Sequence, residues 1–91
     1  MRIKEGFVLR EICGQNVVSG EGLDQVNFSK LITLNPTATL LWQKAEKDGD
    51  FTVDSLAEVL IETFPEVEKE RLVSDTAKLV KQWVEMGLIS D

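Results

Sequence analysis

A strand that passes into a helix with almost no linker is the feature that most constrains the fold of this chain. Residues 31–34 are apolar or β-branched and are typical of a strand end. Asn35 can accept a hydrogen bond from a free helix N–H, and Pro36 suits the first helical position because its missing N–H costs nothing there. The residues that follow have the spacing of one helix face: Ala38, Leu41, Trp42 and Ala45. We therefore expect an N-terminal sheet and C-terminal helices to be assembled on this joint.

Three strands are predicted up to this joint. Residues 7–12 and 16–19 form a predicted hairpin, and Gly14 in its turn can take a positive φ without strain. The third strand is predicted to begin between Leu23 and Phe28 and to end at Leu34. Its alternation is imperfect near residue 30. Either a bulge shifts the register there, or both faces of the strand are partly covered.

Three helices are predicted after the joint, over residues 36–47, 53–64 and 68–86. Thr52 is the expected N-cap of the second helix, and Gly49 and Gly87 are expected to end the first and the third. Residues 88–89 are expected to fold back onto the core. The prediction is thus one α+β domain over residues 1–91, with a small three-stranded antiparallel N-terminal sheet followed by three helices.

The third helix has an apolar arc of roughly 180° when drawn at about 100° per residue, which is wider than a surface helix needs. Its members are Leu72, Val73, Thr76, Ala77, Leu79, Val80, Trp83, Val84 and Met86. Either the other helices and the sheet cover both sides of the arc, or one flank lines an open groove beside the third strand. An uncovered edge strand could accept an extended peptide in such a groove, because its N–H and C=O groups are unpaired.

Catalysis and metal binding are not expected. The chain contains no histidine and a single cysteine, Cys13, so a Cys-His nucleophile and a Cys/His zinc site are both excluded. Residues 48–50 (Asp-Gly-Asp) lack the remaining ligands of a calcium loop, and no glycine-rich phosphate loop is present. We therefore predict a protein that is not an enzyme and needs no cofactor.

Charge and hydropathy limit the partners and the location. The net charge is −6 with a pI of about 4.6, and the ten basic residues are scattered, which argues against a nucleic-acid surface. No stretch is long and apolar enough for a signal peptide or a membrane span. A lone cysteine cannot form an intrachain disulfide, which fits a reducing compartment. A cytoplasmic location without membrane partners is expected.

Four short features, in their order and spacing, resemble the PqqD family of small winged-helix-like domains, also called RiPP recognition elements. They are Leu34-Asn35, Leu41-Trp42, Asp48-Gly49 and Met86-Gly87-Leu88-Ile89. The resemblance extends from about Gly6 to Ile89. It implies a winged-helix-like fold and a protein that binds the leader segment of a ribosomally synthesised precursor peptide and presents the peptide to a modifying enzyme.

The resemblance also implies a binding site. In this family the leader adds as an antiparallel strand to the third strand, in a cleft flanked by the third helix. Carried over by position, the contacts are Ser29, Lys30, Leu31, Ile32, Thr33, Leu34, Arg71, Leu72, Asp75, Thr76 and Leu79. Proline at position 32 is expected to remove a ladder donor and so to abolish binding. The enzyme partner in this family is often a radical-SAM protein. Similar domains serve many peptide products, so no pathway is selected.

Two other functions stay open at this point. A winged-helix DNA-binding regulator could share the architecture, but its recognition helix should present Arg, Lys, Asn or Gln to base edges. The second helix presents Asp54, Ser55, Glu58 and Glu62 instead. A subunit that only docks to a larger enzyme fits the sequence as well as a peptide binder does. An uncovered third strand could also pair with a second copy of the chain, giving a homodimer.

Overall fold

The strand-to-helix joint separates a sheet part of the chain from a helical part, as expected. The computed structural model describes residues 1–20 and 31–90. Within these residues the elements follow in the order β1 (Arg2–Ile3), β2 (Phe7–Ile12), β3 (Gln15–Gly20), β4 (Leu31–Leu34), α1 (Pro36–Asp48), α2 (Val53–Thr63), α3 (Lys69–Glu85) and β5 (Ile89–Ser90). The α+β class, the three-stranded antiparallel sheet and the three helices are thereby confirmed.

The three-stranded sheet has the order β2-β3-β4, and both of its pairings are antiparallel. β2 and β3 form the predicted hairpin around a two-residue turn, in which Cys13 and Gly14 have φ of 51° and 79°. Positive φ at both central residues is the mark of a type I′ turn, whose twist matches that of the flanking strands. β4 is the strand predicted as third. Its predicted start at residues 23–28 and the bulge near residue 30 lie outside the described residues.

Side-chain caps define the starts of α1 and α2. The Asn35 Oδ1 accepts from the Ala38 N–H at 2.7 Å, and Pro36 occupies the first turn, as predicted. Thr52 and Ser55 bond reciprocally at the start of α2: the Ser55 N–H donates to Thr52 Oγ1 (3.1 Å), and the Thr52 N–H donates to Ser55 Oγ (3.0 Å). Each cap satisfies donors that the helix itself leaves free.

Gly87 ends the last helix with a left-handed turn, as predicted. Its φ is 81°, its N–H donates to the Val84 carbonyl (3.0 Å), and the Leu88 N–H donates to the Trp83 carbonyl (2.9 Å). This pair of bonds is a Schellman motif, which needs a residue that tolerates positive φ. Leu88 and Ile89 return to the core and are buried, as expected.

A second sheet, of two strands, was not predicted. β1 pairs antiparallel with β5, with Arg2 opposite Ser90 and Ile3 opposite Ile89. The pairing joins the two ends of the described chain, and the Lys4 N–H extends it by donating to the Leu88 carbonyl at 2.9 Å. Strands of two residues contain no readable periodicity, so only the tertiary structure reveals them.

The amino terminus is tied to the turn between α1 and α2. The Met1 ammonium lies 3.0 Å from Asp50 Oδ1 and also donates to the Phe51 carbonyl at 3.0 Å. The hydrogen bond and the positive charge of this ammonium lower the pKa of the Asp50 carboxyl below its ordinary value of 3.8, and Arg2 adds to the effect.

The core lies between the inner face of the sheet and the three helices. Trp42 of α1 and Trp83 of α3 are almost completely buried and meet edge to face, with ring centroids 5.3 Å apart and an interplanar angle of 85°. Val18, Leu56 and Leu88 are fully buried beside them. Both tryptophans are therefore structural, as expected. No helix in the described residues is long and apolar enough to cross a membrane.

The apolar arc of α3 is only partly covered by the rest of the protein. Its middle is buried and consists of Leu72, Thr76, Val80 and Trp83. The flanks are half-buried at Val73 and Leu79 and exposed at Ala77 and Val84. Neighbours therefore cover the middle of the arc but leave both flanks partly accessible, so complete cover of both sides is not observed.

Candidate functional site

β4 is an edge strand of the sheet. It pairs with β3 on one side, and no strand among the described residues pairs with its other side. The pairing register joins Asn16 to Leu34, Val17 to Thr33, Val18 to Ile32 and Ser19 to Leu31. In antiparallel pairing, alternate residues of an edge strand direct both backbone groups away from their neighbour. The register alone does not say which residues of β4 these are.

The two-residue turn between β2 and β3 determines which residues of β4 direct their backbone groups away from β3. Ile12 and Gln15 are paired across a two-residue turn, and such a pair exchanges both of its backbone hydrogen bonds. Along β3, residues 15, 17 and 19 therefore bond to β2. Residues 16, 18 and 20 then direct their backbone groups to the other side, where β4 lies.

It follows that Thr33 directs its backbone N–H and C=O to the free edge. Leu34 and Ile32 are opposite Asn16 and Val18, so their own backbone groups bond to β3. Thr33, between them, points the other way, as does the backbone of Leu31. Proline at Ile32 would therefore break the sheet itself, and it is not the test of strand addition that the sequence suggested.

The side chains of β4 alternate in the same way. Leu34 is buried and Ile32 half-buried against the core, whereas Thr33 is exposed on the opposite face of the sheet. A strand added beside β4 would share this alternation. Its residue paired with Thr33 would point away from the helices, and the two neighbouring side chains would point toward them.

A cleft of about 340 Å³ lies where β4 passes into α1, against one flank of α3. Its floor is apolar, with Ala38 buried and Leu79 half-buried, and its rim carries one carboxylate and one ammonium group. The lining residues are Asn35, Thr37, Ala38, Asp75, Lys78, Leu79 and Gln82. The cleft can thus hold one apolar side chain and offer polar and charged groups around it.

Asn35 makes the wall of this cleft rigid. Besides the cap to Ala38, its carbonyl accepts from both the backbone N–H and the hydroxyl of Thr39, each at 2.9 Å. Because these bonds fix the first turn of α1 directly after the edge strand, the strand edge and the cleft keep a fixed relation to each other.

The residues predicted on the helix side fall into two groups. Asp75 and Leu79 line the cleft, and Arg71 is exposed one turn before Asp75 on the same flank of α3. Leu72 and Thr76 are buried in the core, where the Thr76 hydroxyl donates to the Leu72 carbonyl at 2.8 Å. A peptide in the cleft would not reach these two side chains, because they face the core rather than the cleft.

The structure describes only part of the predicted strand side. Leu31, Ile32, Thr33 and Leu34 form β4, whereas Ser29 and Lys30 lie outside the described residues.

Five lining residues were not predicted: Asn35, Thr37, Ala38, Lys78 and Gln82. A signal for two of them was present, since Lys78 and Gln82 follow Asp75 at the i+3 and i+7 spacing of one helix face. The other three belong to the joint, and nothing local shows that the start of α1 faces α3.

At least three other cavities in the described part of the chain are larger than the cleft. One, of about 550 Å³, lies between residues 2–7 and the end of α1. Another, of about 430 Å³, lies between α2 and α3. The third, of about 420 Å³, lies at residues 68–70, at the start of α3. None of these three is lined by a residue of the joint between β4 and α1, whereas the cleft is lined by Asn35, which directly follows β4. Among the described residues, no group of three or more His, Cys, Asp or Glu side chains could hold a metal ion.

Comparison with known proteins identifies the family. The family described as coenzyme PQQ synthesis protein D (PqqD) matches residues 17–89, which is most of the chain. No curated protein and no solved structure gives a significant match. The match begins in β3 and runs through the joint and all three helices to β5, so it includes both β4 and the helix flank that forms the cleft. This chain belongs to the PqqD family.

Proposed function

We propose that this chain is a non-catalytic peptide-binding protein. It takes up the leader segment of a ribosomally synthesised precursor peptide as an additional antiparallel strand on β4 and presents the peptide to a modifying enzyme. The observation that carries the proposal is the outward-facing backbone of Thr33, two residues before Asn35, which lines the cleft together with Leu79. Membership of the PqqD family supports the same function.

The geometry supports recognition by two kinds of contact. The backbone N–H and C=O of Thr33 would exchange two hydrogen bonds with one leader residue, each with a net contribution of about 0.5–1.5 kcal/mol. A residue next to it in the leader would place its side chain on Ala38 and Leu79. The backbone bonds supply affinity for any extended segment, whereas the cleft selects the side chain.

We propose that the enzyme partner is of the radical-SAM type, as the family resemblance implies. Such an enzyme would hold its own iron–sulfur cluster. A cluster needs several cysteine thiolates, and the one cysteine of this chain, Cys13, is exposed in the hairpin turn. The role of this chain would then be to hold the peptide while the chemistry takes place on the partner.

The charges do not support the DNA-binding alternative. The winged-helix architecture, on which this alternative depends, remains a prediction from the sequence. In α2, Asp54, Glu58 and Glu62 are exposed, and their charges would be repelled by the phosphate backbone.

The proposal is tested by titrating the ¹⁵N-labelled protein with a synthetic leader from a short precursor peptide encoded beside it. Amide shifts concentrated at residues 32–35 and at 75–82 of α3 are expected, with little change at the exposed end of α2. Saturable binding with shifts at another surface would overturn the site. No binding to any such leader would overturn the function and favour a docking subunit.

A further inference from the structure

A second groove lies on the opposite flank of α3 from the cleft at the start of α1, which is called the leader cleft below. It encloses about 430 Å³ between α2 and α3. At about 100° per residue, Val73 in this groove and Gln82 in the leader cleft are roughly 180° apart around α3. The two sites are therefore separated by the helix itself and can be occupied independently.

The floor of this groove is apolar. Ile61 of α2 and Val73 of α3 are half-buried at its base. Along α3 the same flank continues through Ala77 and Val84, which are both exposed, with 37% of Val84 accessible. Two helices with an apolar furrow between them form the kind of surface that accepts an amphipathic helix.

The rim of the groove is acidic along α2. Asp54, Glu58 and Glu62 line it at successive i, i+4 positions, with Lys69 of α3 as its one basic lining residue. Within the described part of the chain, none of the three carboxylates makes an ion pair or a side-chain hydrogen bond. Like charges at i, i+4 destabilise a helix, and Glu62 also lies in a last turn that contains no basic residue to offset the helix dipole. Glu58 and Glu62 are thus retained against the stability of α2, whereas Asp54 lies in its first turn, where a carboxylate complements the helix dipole.

We propose that this groove docks a basic amphipathic helix of a partner protein. The three carboxylates span nine residues of α2, or about 12 Å, which matches lysines or arginines placed over two turns of a facing helix. The apolar face of that helix would cover Ile61, Val73 and Ala77. The inference does not depend on leader binding, because it concerns the other flank of α3.

The probe is a synthetic 18-residue amphipathic peptide of leucine and lysine, and a scrambled peptide of the same composition is the control. We expect its amide shifts on the labelled protein to fall at residues 54–62 and 69–77, and the scrambled peptide to bind more weakly. The double variant E58Q/E62Q removes two rim charges and leaves the floor intact. The double variant E46Q/E85Q changes the net charge equally at two exposed residues outside the groove.

Binding by E58Q/E62Q should be about 2- to 30-fold weaker than binding by E46Q/E85Q. Equal affinities for the two variants would overturn the proposal, as would equal binding of the scrambled peptide or shifts located at β4. Addition of the leader peptide afterwards should leave the shifts caused by the probe unchanged. Loss of probe binding at the groove can therefore be distinguished from loss of leader binding at β4.

Discussion

Replacing Thr33 with proline should weaken leader binding while leaving the fold intact. The Thr33 N–H faces the free edge, so proline removes no bond of the β3–β4 ladder, and proline is tolerated on edge strands in such positions. The loss of one net hydrogen bond, about 0.5–1.5 kcal/mol, corresponds to a dissociation constant raised about 2- to 13-fold. Thr33→Ala keeps the N–H and should bind the leader with nearly unchanged affinity.

Isothermal titration calorimetry with the synthetic leader measures the affinities, and urea unfolding monitors the fold. Ile32→Pro provides the matched comparison, since the same substitution one residue earlier removes a bond to Val18 and should lower the free energy of unfolding. The reasoning is refuted if Thr33→Pro and Thr33→Ala bind equally well. It is also refuted if Thr33→Pro lowers the unfolding free energy more than Ile32→Pro does.

Three further predictions concern the cleft, the joint and the amino terminus. Leu79→Ala should raise the dissociation constant of the leader about 5- to 30-fold through lost apolar contact, whereas Val84→Ala, on the other flank of α3, should not change it. Equal effects of the two substitutions in calorimetry would show that the cleft does not bind the leader. Asn35→Ala should lower the unfolding free energy by about 1 kcal/mol in urea titrations, because Ala38 loses its cap; an unchanged midpoint would count against the cap. Asp50 has a lowered pKa in the folded protein, so its contribution to stability is present above about pH 4 and is lost as the pH falls through the lowered pKa. Asp50→Asn should therefore be less stable than the original protein near neutral pH, and the difference in unfolding free energy should shrink as the pH falls through the lowered pKa. A difference that does not change with pH would show that the ion pair is not its source.

The sequence predicted the elements well where local chemistry determines them. The chemistry of Asn35, Thr52, Gly49 and Gly87 predicts helix ends, and each residue lies at such an end. The hairpin is predictable for the same reason, because Gly14 supplies the positive φ that its turn requires. These features depend on a few neighbouring residues, so the sequence alone is sufficient for them.

The parts that were missed depend on contacts between distant segments. The β1–β5 pair brings residues 2–3 beside residues 89–90, and no periodicity extends over two residues. The burial of Thr76 was missed for a related reason. The helical wheel places it in the apolar arc, but only the packing of α3 shows that this part of the arc faces the core. These features could not be predicted because they depend on contacts between residues that are far apart in the sequence.

The candidate site illustrates both cases. The edge strand and the flank of α3 with Asp75 and Leu79 were expected, but the contribution of the start of α1 was not. The outward direction of the Thr33 backbone required the observed register and the two-residue turn together. A turn one residue longer would reverse the alternation in β4, so composition alone could not have supplied it.

Hydrogen exchange at the Thr33 amide tests the central proposal most directly. In the free protein, the Thr33 N–H should exchange much faster than those of Ile32 and Leu34, which bond to β3. Saturating leader should slow exchange at Thr33 and leave its two neighbours little changed, since their bonds already exist. If Thr33 exchanges at the same rate with and without saturating leader, the peptide does not add as a strand to β4, and the account is contradicted.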